Sequence, residues 1–186
     1  MTIEEVLSGF PKRITLKNGK RALIKPLERS DYEGLLNFFL RDVKEEDVVF
    51  LKDNVKDPGT IRAWCENINY ERVFPIVAVV DNTIVGNASL HMRDFGWARY
   101  LGKIRVTVSV NFRKMGLGKA MVKTLEEVAT GLLLERLWAE VVEGAQAAGA
   151  KLFLDLGYQK AGTLKSIVKA PDGALYDLGI YIKRIA

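Results

Sequence analysis

The spacing of hydrophobic and polar residues changes several times along the chain, and each change marks an element. In residues 12–25, Ile14 and Leu16 alternate with polar positions, Asn18-Gly19 supplies a two-residue turn, and Ala22, Leu23 and Ile24 follow. That pattern predicts a hairpin. Ser30 and Glu33 stand at capping-box spacing and predict a helix through about Leu40, with Leu35, Leu36, Phe39 and Leu40 on its buried face. Residues 41–57 are charged and irregular around an apolar island of Val48, Val49, Phe50 and Leu51. Asp57-Pro58 reads as the cap and first turn of a second helix, whose inner face carries Ile61, Trp64, Cys65 and Ile68.

The second half alternates more regularly. Phe74 to Val80 reads as a buried strand, Asp81-Asn82 as a turn and Thr83 to Met92 as an antiparallel partner. A loop over 93–101 carries Trp97 and Tyr100. From Lys103 to Val110, Ile104, Val106, Val108 and Val110 face one way, and Arg105, Thr107 and Ser109 the other. Leu117, Met121, Leu125, Val128 and Leu132 form a helical stripe. A strand over 137–142, a helix over 145–156 ending at Gly157, and strands over about 158–169 and 174–183 around Pro171-Asp172-Gly173 complete the chain. The order is β, β, α, α, β, β, β, α, β, α, β, β, without repeat or linker. Strand 103–110, helix 117–132 and strand 137–142 form a βαβ unit whose strands are expected to be parallel, while the other strands are expected to pair antiparallel.

Composition narrows the picture only slightly. The chain has 186 residues, 48% hydrophobic and 27% charged, which suits one domain spanning 1–186 with its core at about 12–184. No apolar run approaches membrane-spanning length, and Met1-Thr2-Ile3-Glu4-Glu5 lacks a secretory hydrophobic region. Cys65 is the lone cysteine, compatible with a reducing cytoplasm, and its helical spacing suits core packing better than nucleophilic chemistry. Twenty-eight Lys and Arg against 23 Asp and Glu suit an anionic ligand. The positive charges are scattered, which disfavours nucleic acid as a partner.

The stretch carrying chemistry is Val106-Thr107-Val108-Ser109-Val110-Asn111-Phe112-Arg113-Lys114-Met115-Gly116-Leu117-Gly118-Lys119-Ala120-Met121. A strand runs through a glycine turn directly into a helix N-terminus, where exposed N–H groups and the helix dipole favour phosphate. It is not a Walker loop, because Arg113 stands at the first glycine position and Ala120 follows Gly118-Lys119. Nor is it a dinucleotide fingerprint, whose third glycine would be Met121. Arg-x-x-Gly-x-Gly-x-Ala, read as Arg113, Gly116, Gly118 and Ala120, resembles the pyrophosphate-binding motif of the GNAT superfamily of acetyl-CoA-dependent N-acetyltransferases. Gln146, Gly149, Phe153, Gly157 and Tyr158 are similar to a second family segment, Asn-x-x-Ala-x-x-x-Tyr-x-x-x-Gly-Phe.

The resemblance implies a mixed α/β fold: a mostly antiparallel central sheet with one parallel, splayed strand pair and flanking helices. It implies transfer of an acetyl group from acetyl-CoA to a primary amine by direct attack. Backbone from Met115 through Gly116, Leu117, Gly118 and Lys119 to Ala120 would hold the pyrophosphate, with Arg113, Lys114 and Lys119 adding charge. Val108 and Val110 would pair with the pantetheine arm, and a strand N–H near Val108 would polarise the thioester carbonyl. Gln146 and Phe153 would line the coenzyme. The expected partners are acetyl-CoA and an amine acceptor, small or protein-borne, with a homodimer also open; no membrane contact is expected.

Two positions depart from the family pattern. Phe153 stands where many relatives carry a Tyr near the departing sulfur, and Lys103 where a Glu helps remove the amine proton. Substitute bases are His91, the one histidine, and Glu140, which shares strand parity with Trp138. A hydrogen-bonded strand-end histidine and a surface ion pair are the plain alternatives for these two. Tyr158 and Tyr181 could supply a proton, although buried tyrosines generally find structural partners. No His, Cys and carboxylate spacing suggests a metal. A non-catalytic acyl-CoA-binding or regulatory module is the second reading, and a nucleic-acid-binding protein the third.

Overall fold

A computed structural model describes all 186 residues. Eight strands form one sheet in the order β1-β2-β3-β4-β5-β6-β8-β7. They are β1 (Lys12–Thr15), β2 (Arg21–Pro26), β3 (Val73–Val80), β4 (Thr83–His91), β5 (Leu101–Val108), β6 (Arg136–Val142), β7 (Gln159–Lys169) and β8 (Leu175–Arg184). Every neighbouring pair is antiparallel except β5 and β6. The mixed sheet with one parallel pair follows the sequence expectation.

The parallel pair is short. Leu101, Gly102 and Lys103 lie beside Arg136, Leu137 and Trp138, and the pairing stops there. Beyond that point β5 pairs only with β4, and β6 only with β8. The two strands therefore form a fork. Gly102 sits at its vertex, where a Cβ would lie 2.6 Å from both Leu90 and Leu137 side chains. A side chain at this position would push the strands apart before they could pair.

Helix α5 (Leu117–Gly131) crosses from β5 to β6 and buries Leu117, Met121, Val122, Leu125 and Val128 in the main core. Its contact with β4 depends on Gly86, where a Cβ would meet the Met121 sulfur at 2.8 Å. Helix α6 (Ala147–Asp155) covers the same core and ends before Gly157 at φ +86°. The opposite sheet face carries a smaller core, in which Phe38, Phe39, Val43, Val55, Ile61 and Cys65 cover Val77 and Ile84.

That smaller layer differs from the sequence expectation. Ser30 does not cap the helix. Glu28 and Asp31 form a reciprocal cap on a 3-10 turn, and the charged Asp31 carboxylate accepts from Glu28 N at 2.8 Å and from Lys25 at 2.6 Å. A charge-assisted acceptor one residue away displaces the neutral hydroxyl. Helix α2 (Tyr32–Asn37) then widens into a π turn over Phe38–Asp42. The added residue turns Phe38 inward and leaves Leu40 45% exposed, against the expectation that Leu40 is buried. Within the charged segment a short helix, α3 (Glu45–Val48), forms; Val43 and Val55 are its buried neighbours, while Val49 is exposed. Helix α4 (Pro58–Glu66) starts as expected, with the Asp57 carboxylate accepting from Thr60 N. An N-terminal helix, α1 (Ile3–Ser8), capped reciprocally by Thr2 and Glu5, is an addition to the expected elements. Strand β5 ends at Val108; Val110 belongs to a 3-10 turn and Ser109 is buried, reversing the parity expected there. The chain turns early because Ser109 N donates to Val85 O at 2.9 Å and Phe112 N to Ser109 O.

Candidate functional site

The open end of the fork meets the N-terminus of α5. Gly116 precedes that helix with φ +87°, a left-handed conformation that costs a residue with a Cβ. Lys114 adopts φ +61°, and the Met115 carbonyl is fixed by Lys17 N at 3.1 Å. None of the N–H groups from Arg113 to Lys119 donates to another group of the protein, whereas Ala120 N already bonds to Gly116 O at 3.0 Å. Gly116 supplies no side-chain cap, and the first turn holds no acidic residue. Helix α1, by contrast, has a Thr cap and Glu4 and Glu5 in its first turn. The positive end of α5 is thus left uncompensated by the protein, and Lys114 and Lys119 add exposed positive charge beside it.

Space above this turn is open. A Cβ on Gly116 would meet nothing within 4 Å. One on Gly118 would make ordinary contact with Leu152 at 3.5 Å and Val108 at 3.6 Å. Internal packing therefore does not require Gly118 to be glycine. Leu117 points into the core, so only its backbone reaches the turn. Met115 and Ala120 are half-buried.

Because Ser109 N turns toward β4, strand alternation turns the N–H and C=O groups of Val106 and Val108 into the fork. The Val108 carbonyl accepts from Arg113 Nε at 3.4 Å. Arg113 also ion-pairs with Asp47 of α3 at 2.6 Å. Val110 is half-buried in its 3-10 turn, off the strand. Across the fork, Gln146 Oε1 accepts from Val142 N at 2.8 Å, closing the end of β6 above α6. Phe153 is 3% exposed in the main core, its ring 5.0 Å from that of Tyr158; Leu152 is the side chain nearer Gly118.

A charged cluster lies near the vertex, on the face opposite α5. Glu140 ion-pairs with Lys103 at 2.7 Å and with Lys52, its side chain 15% exposed. Burial pushes its pKa up, but the hydrogen bonds from Lys103 and Lys52 prevail and hold it below the usual value. Lys103 Nζ also sits 4.5 Å from the Trp138 ring centroid. Burial drops Lys103 to about 8, in spite of Glu140. His91 pairs across the sheet with Lys103, and its Nε2 lies 2.9 Å from Ser89 Oγ. Burial, then Arg105 and Lys103, lower His91 to about 4. Cys65 is buried in the smaller core and pushed up to about 11, mainly by burial. Tyr158 is pushed up by burial in the main core, and Tyr181 is buried there too. No group of three or more metal-ligating side chains is present.

Beside this cluster a small cleft of about 60 Å³ opens between β4, β5 and the segment after α3. Asn87, Ser89, Arg105 and Thr107 form its floor, and Leu51, Lys52, Asp53 and Val55 its roof. Sequence reasoning placed Arg105 and Thr107 on the face away from Ile104. It missed the cleft because the roof is fixed by pairings between distant residues: Asp47 with Arg113, Asp53 with Arg105 at 3.1 Å, and Lys52 with Glu140.

Known proteins share this fold. A crystal structure of ribosomal-protein-alanine N-acetyltransferase from Brucella melitensis is 26% identical with TM-score 0.74, covering 87% of this chain and 99% of its own. An N-acetyltransferase from Staphylococcus aureus Mu50 is 18% identical with TM-score 0.76, covering 89% and 99%. A Salmonella typhimurium protein solved with its cofactor acetyl-CoA is 18% identical with TM-score 0.74, covering 89% and 94%. No curated protein matches the chain. The sequence model of the acetyltransferase (GNAT) family matches residues 36–158, which include the fork, the glycine turn and α6. With most of the chain matched, and the same fold found around that match, the chain belongs to the GNAT acetyltransferase family.

Proposed function

We propose that the protein transfers the acetyl group of acetyl-CoA to a primary amine. The observation carrying this reading is the run of backbone N–H groups from Arg113 to Lys119, none donating within the protein, at the uncompensated N-terminus of α5 and the open end of the fork. Successive N–H groups on a tight turn bind a pyrophosphate through backbone geometry. Arg113, Lys114 and Lys119 supply charge there. Val106 and Val108 offer strand-like hydrogen bonds to an extended pantetheine arm, and an N–H at that edge is aimed to stabilise charge developing on a carbonyl oxygen. Acetyl-CoA, when bound, supplies an activated acetyl group open to direct attack by a neutral amine.

The chain's own proton acceptors are weak. Glu140 is neutralised by two lysines, and His91, at about 4, is a poor base near neutral pH. We assign neither the role of a strong general base. The attacking amine must then arrive largely neutral, and turnover rises with pH. The same features favour a second reading, a coenzyme-binding module without turnover. Thiol release across a panel of amines separates the two. We place the protein in the cytoplasm, on its lone buried cysteine.

Gly118→Val tests the coenzyme site. A Cβ at Gly118 makes only ordinary contacts, with Leu152 and Val108, so Gly118→Ala should fold, and the larger Val side chain is expected to crowd the backbone that receives the pyrophosphate. Calorimetry should show acetyl-CoA binding lost in Gly118→Val and less affected in Gly118→Ala. Unchanged affinity in folded Gly118→Val would remove the assignment.

A further inference from the structure

The cleft beside the fork contains an arginine whose hydrogen bonding is incomplete. Arg105 bonds to Asp53 through Nη1 at 3.1 Å. Its Nε is buried and has no partner, and Nη2 makes no hydrogen bond within the protein. Nε and Nη2 form the side-on edge of a guanidinium, the edge that takes both oxygens of a carboxylate. Asp53 therefore holds the group from one side and leaves the bidentate edge unused. A buried donor without a partner is unfavourable, and because Nε is closed to a water-sized contact as it stands, an acceptor restores the missing bond as the half-exposed Arg105 side chain shifts toward the cleft.

The surroundings suit the same ligand. Lys52, Lys103 and Arg105 bring three positive charges to this region against the carboxylates of Asp53 and Glu140. Thr107 lines the floor, and its hydroxyl donates to no protein group. The cleft, about 60 Å³, is large enough to admit a small polar group, and it opens to solvent between Arg105 and Lys52. The cleft lies on the sheet face opposite α5, and Val106, one of its lining residues, also presents its N–H to the fork.

We propose that the acceptor is a small amine bearing a carboxylate, and that Arg105 binds that carboxylate through Nε and Nη2 while Asp53 anchors the guanidinium. The inference rests on the acetyltransferase reading and narrows its acceptor. Arg105 is then a specificity residue, and Asp53 positions it.

The test uses matched acceptors: glycine, β-alanine and 4-aminobutyrate, each against its carboxamide. Thiol release from acetyl-CoA is compared as kcat/KM, corrected for the neutral fraction of each amine. At one or more of these lengths the wild-type protein should prefer the acid by about tenfold or more. Arg105→Gln should erase that preference by raising KM for the acid, leaving acetyl-CoA affinity unchanged. Arg105→Lys should restore it only in part, because a point charge lacks the fork. Equal use of acids and amides by wild type overturns the proposal, as does a preference that survives in Arg105→Gln. If no amine releases thiol although acetyl-CoA binds, the transferase reading fails separately. The carboxylate site is then judged by calorimetry with N-acetyl-β-alanine and its amide on protein saturated with CoA. Preferential binding of the acid supports the site, and absence of that preference overturns it.

Discussion

His91 shows how a residue's surroundings decide its chemistry. Its type marks it as a base near neutral pH. Its position places it beside Ser89, Lys103 and Arg105, with Lys52 and Asp53 nearby, and it is lowered from 6.5 to about 4 by burial first and the cations next. The unfolded chain therefore binds a proton at higher pH than the folded one. The stabilisation from a neutral His91 is complete above about 6.5 and is lost progressively as pH falls toward about 4. Denaturant midpoints at pH 7 and pH 5 should show a smaller loss in His91→Gln than in wild type. An equal loss would mean that His91 titrates near its ordinary value. At this scale the sequence conveyed Gly116 well, because the turn into α5 takes a left-handed residue there, whereas Gly118 is already helical and its fold position does not demand glycine. The sequence conveyed Arg105, Asp53 and Lys52 poorly, because their meaning lies in partners far away along the chain.

Among the elements, β5 and β6 carry the architecture of the site. Their pairing lasts three residues and depends on Gly102, where a Cβ would intrude on Leu90, Leu134 and Leu137. Gly102→Ala should destabilise the protein by about 1–3 kcal/mol, measured by urea unfolding, because this close-packed vertex has no slack. A change within about 0.5 kcal/mol would show that the fork relaxes freely. The parallel pair was legible from the βαβ order alone. The point at which it ends was not, since it reflects packing of Gly102 against three leucines on other elements. Likewise, Ser30 was a reasonable cap until Asp31 competed for the same turn, and the π turn after Asn37 has no simple periodic signature. Helix α1 was legible in principle: Thr2 and Glu5 form a capping box that local inspection can find.

Across the whole molecule, the segment from Val43 to Val55 ties the coenzyme end of the fork to the cleft. Buried Val43 and Val55 anchor its ends, and Asp47, Lys52 and Asp53 pair with the glycine turn, β6 and β5 respectively. Asp47 competes with any anion for the Arg113 guanidinium. Asp47→Ala should leave stability within about 1 kcal/mol of wild type, as expected for a partly exposed pair. It should tighten acetyl-CoA binding by up to about fivefold, measured by calorimetry at low salt. Weaker binding would show that Asp47 positions Arg113 instead of occupying it.

The fork has one more consequence. Sheet edges expose unpaired backbone and invite strands from other chains, which is why folds shield or charge their margins. Here a margin has been created inside the sheet, with β5 and β6 flanking it and α5 closing the back. Only something narrow and extended, with its own alternating donors and acceptors, can complete such a seam. A folded protein cannot enter, and a loose peptide must thread in from one end. The sheet is left one strand short where an aggregating neighbour cannot reach, and the same shortfall selects a slender ligand.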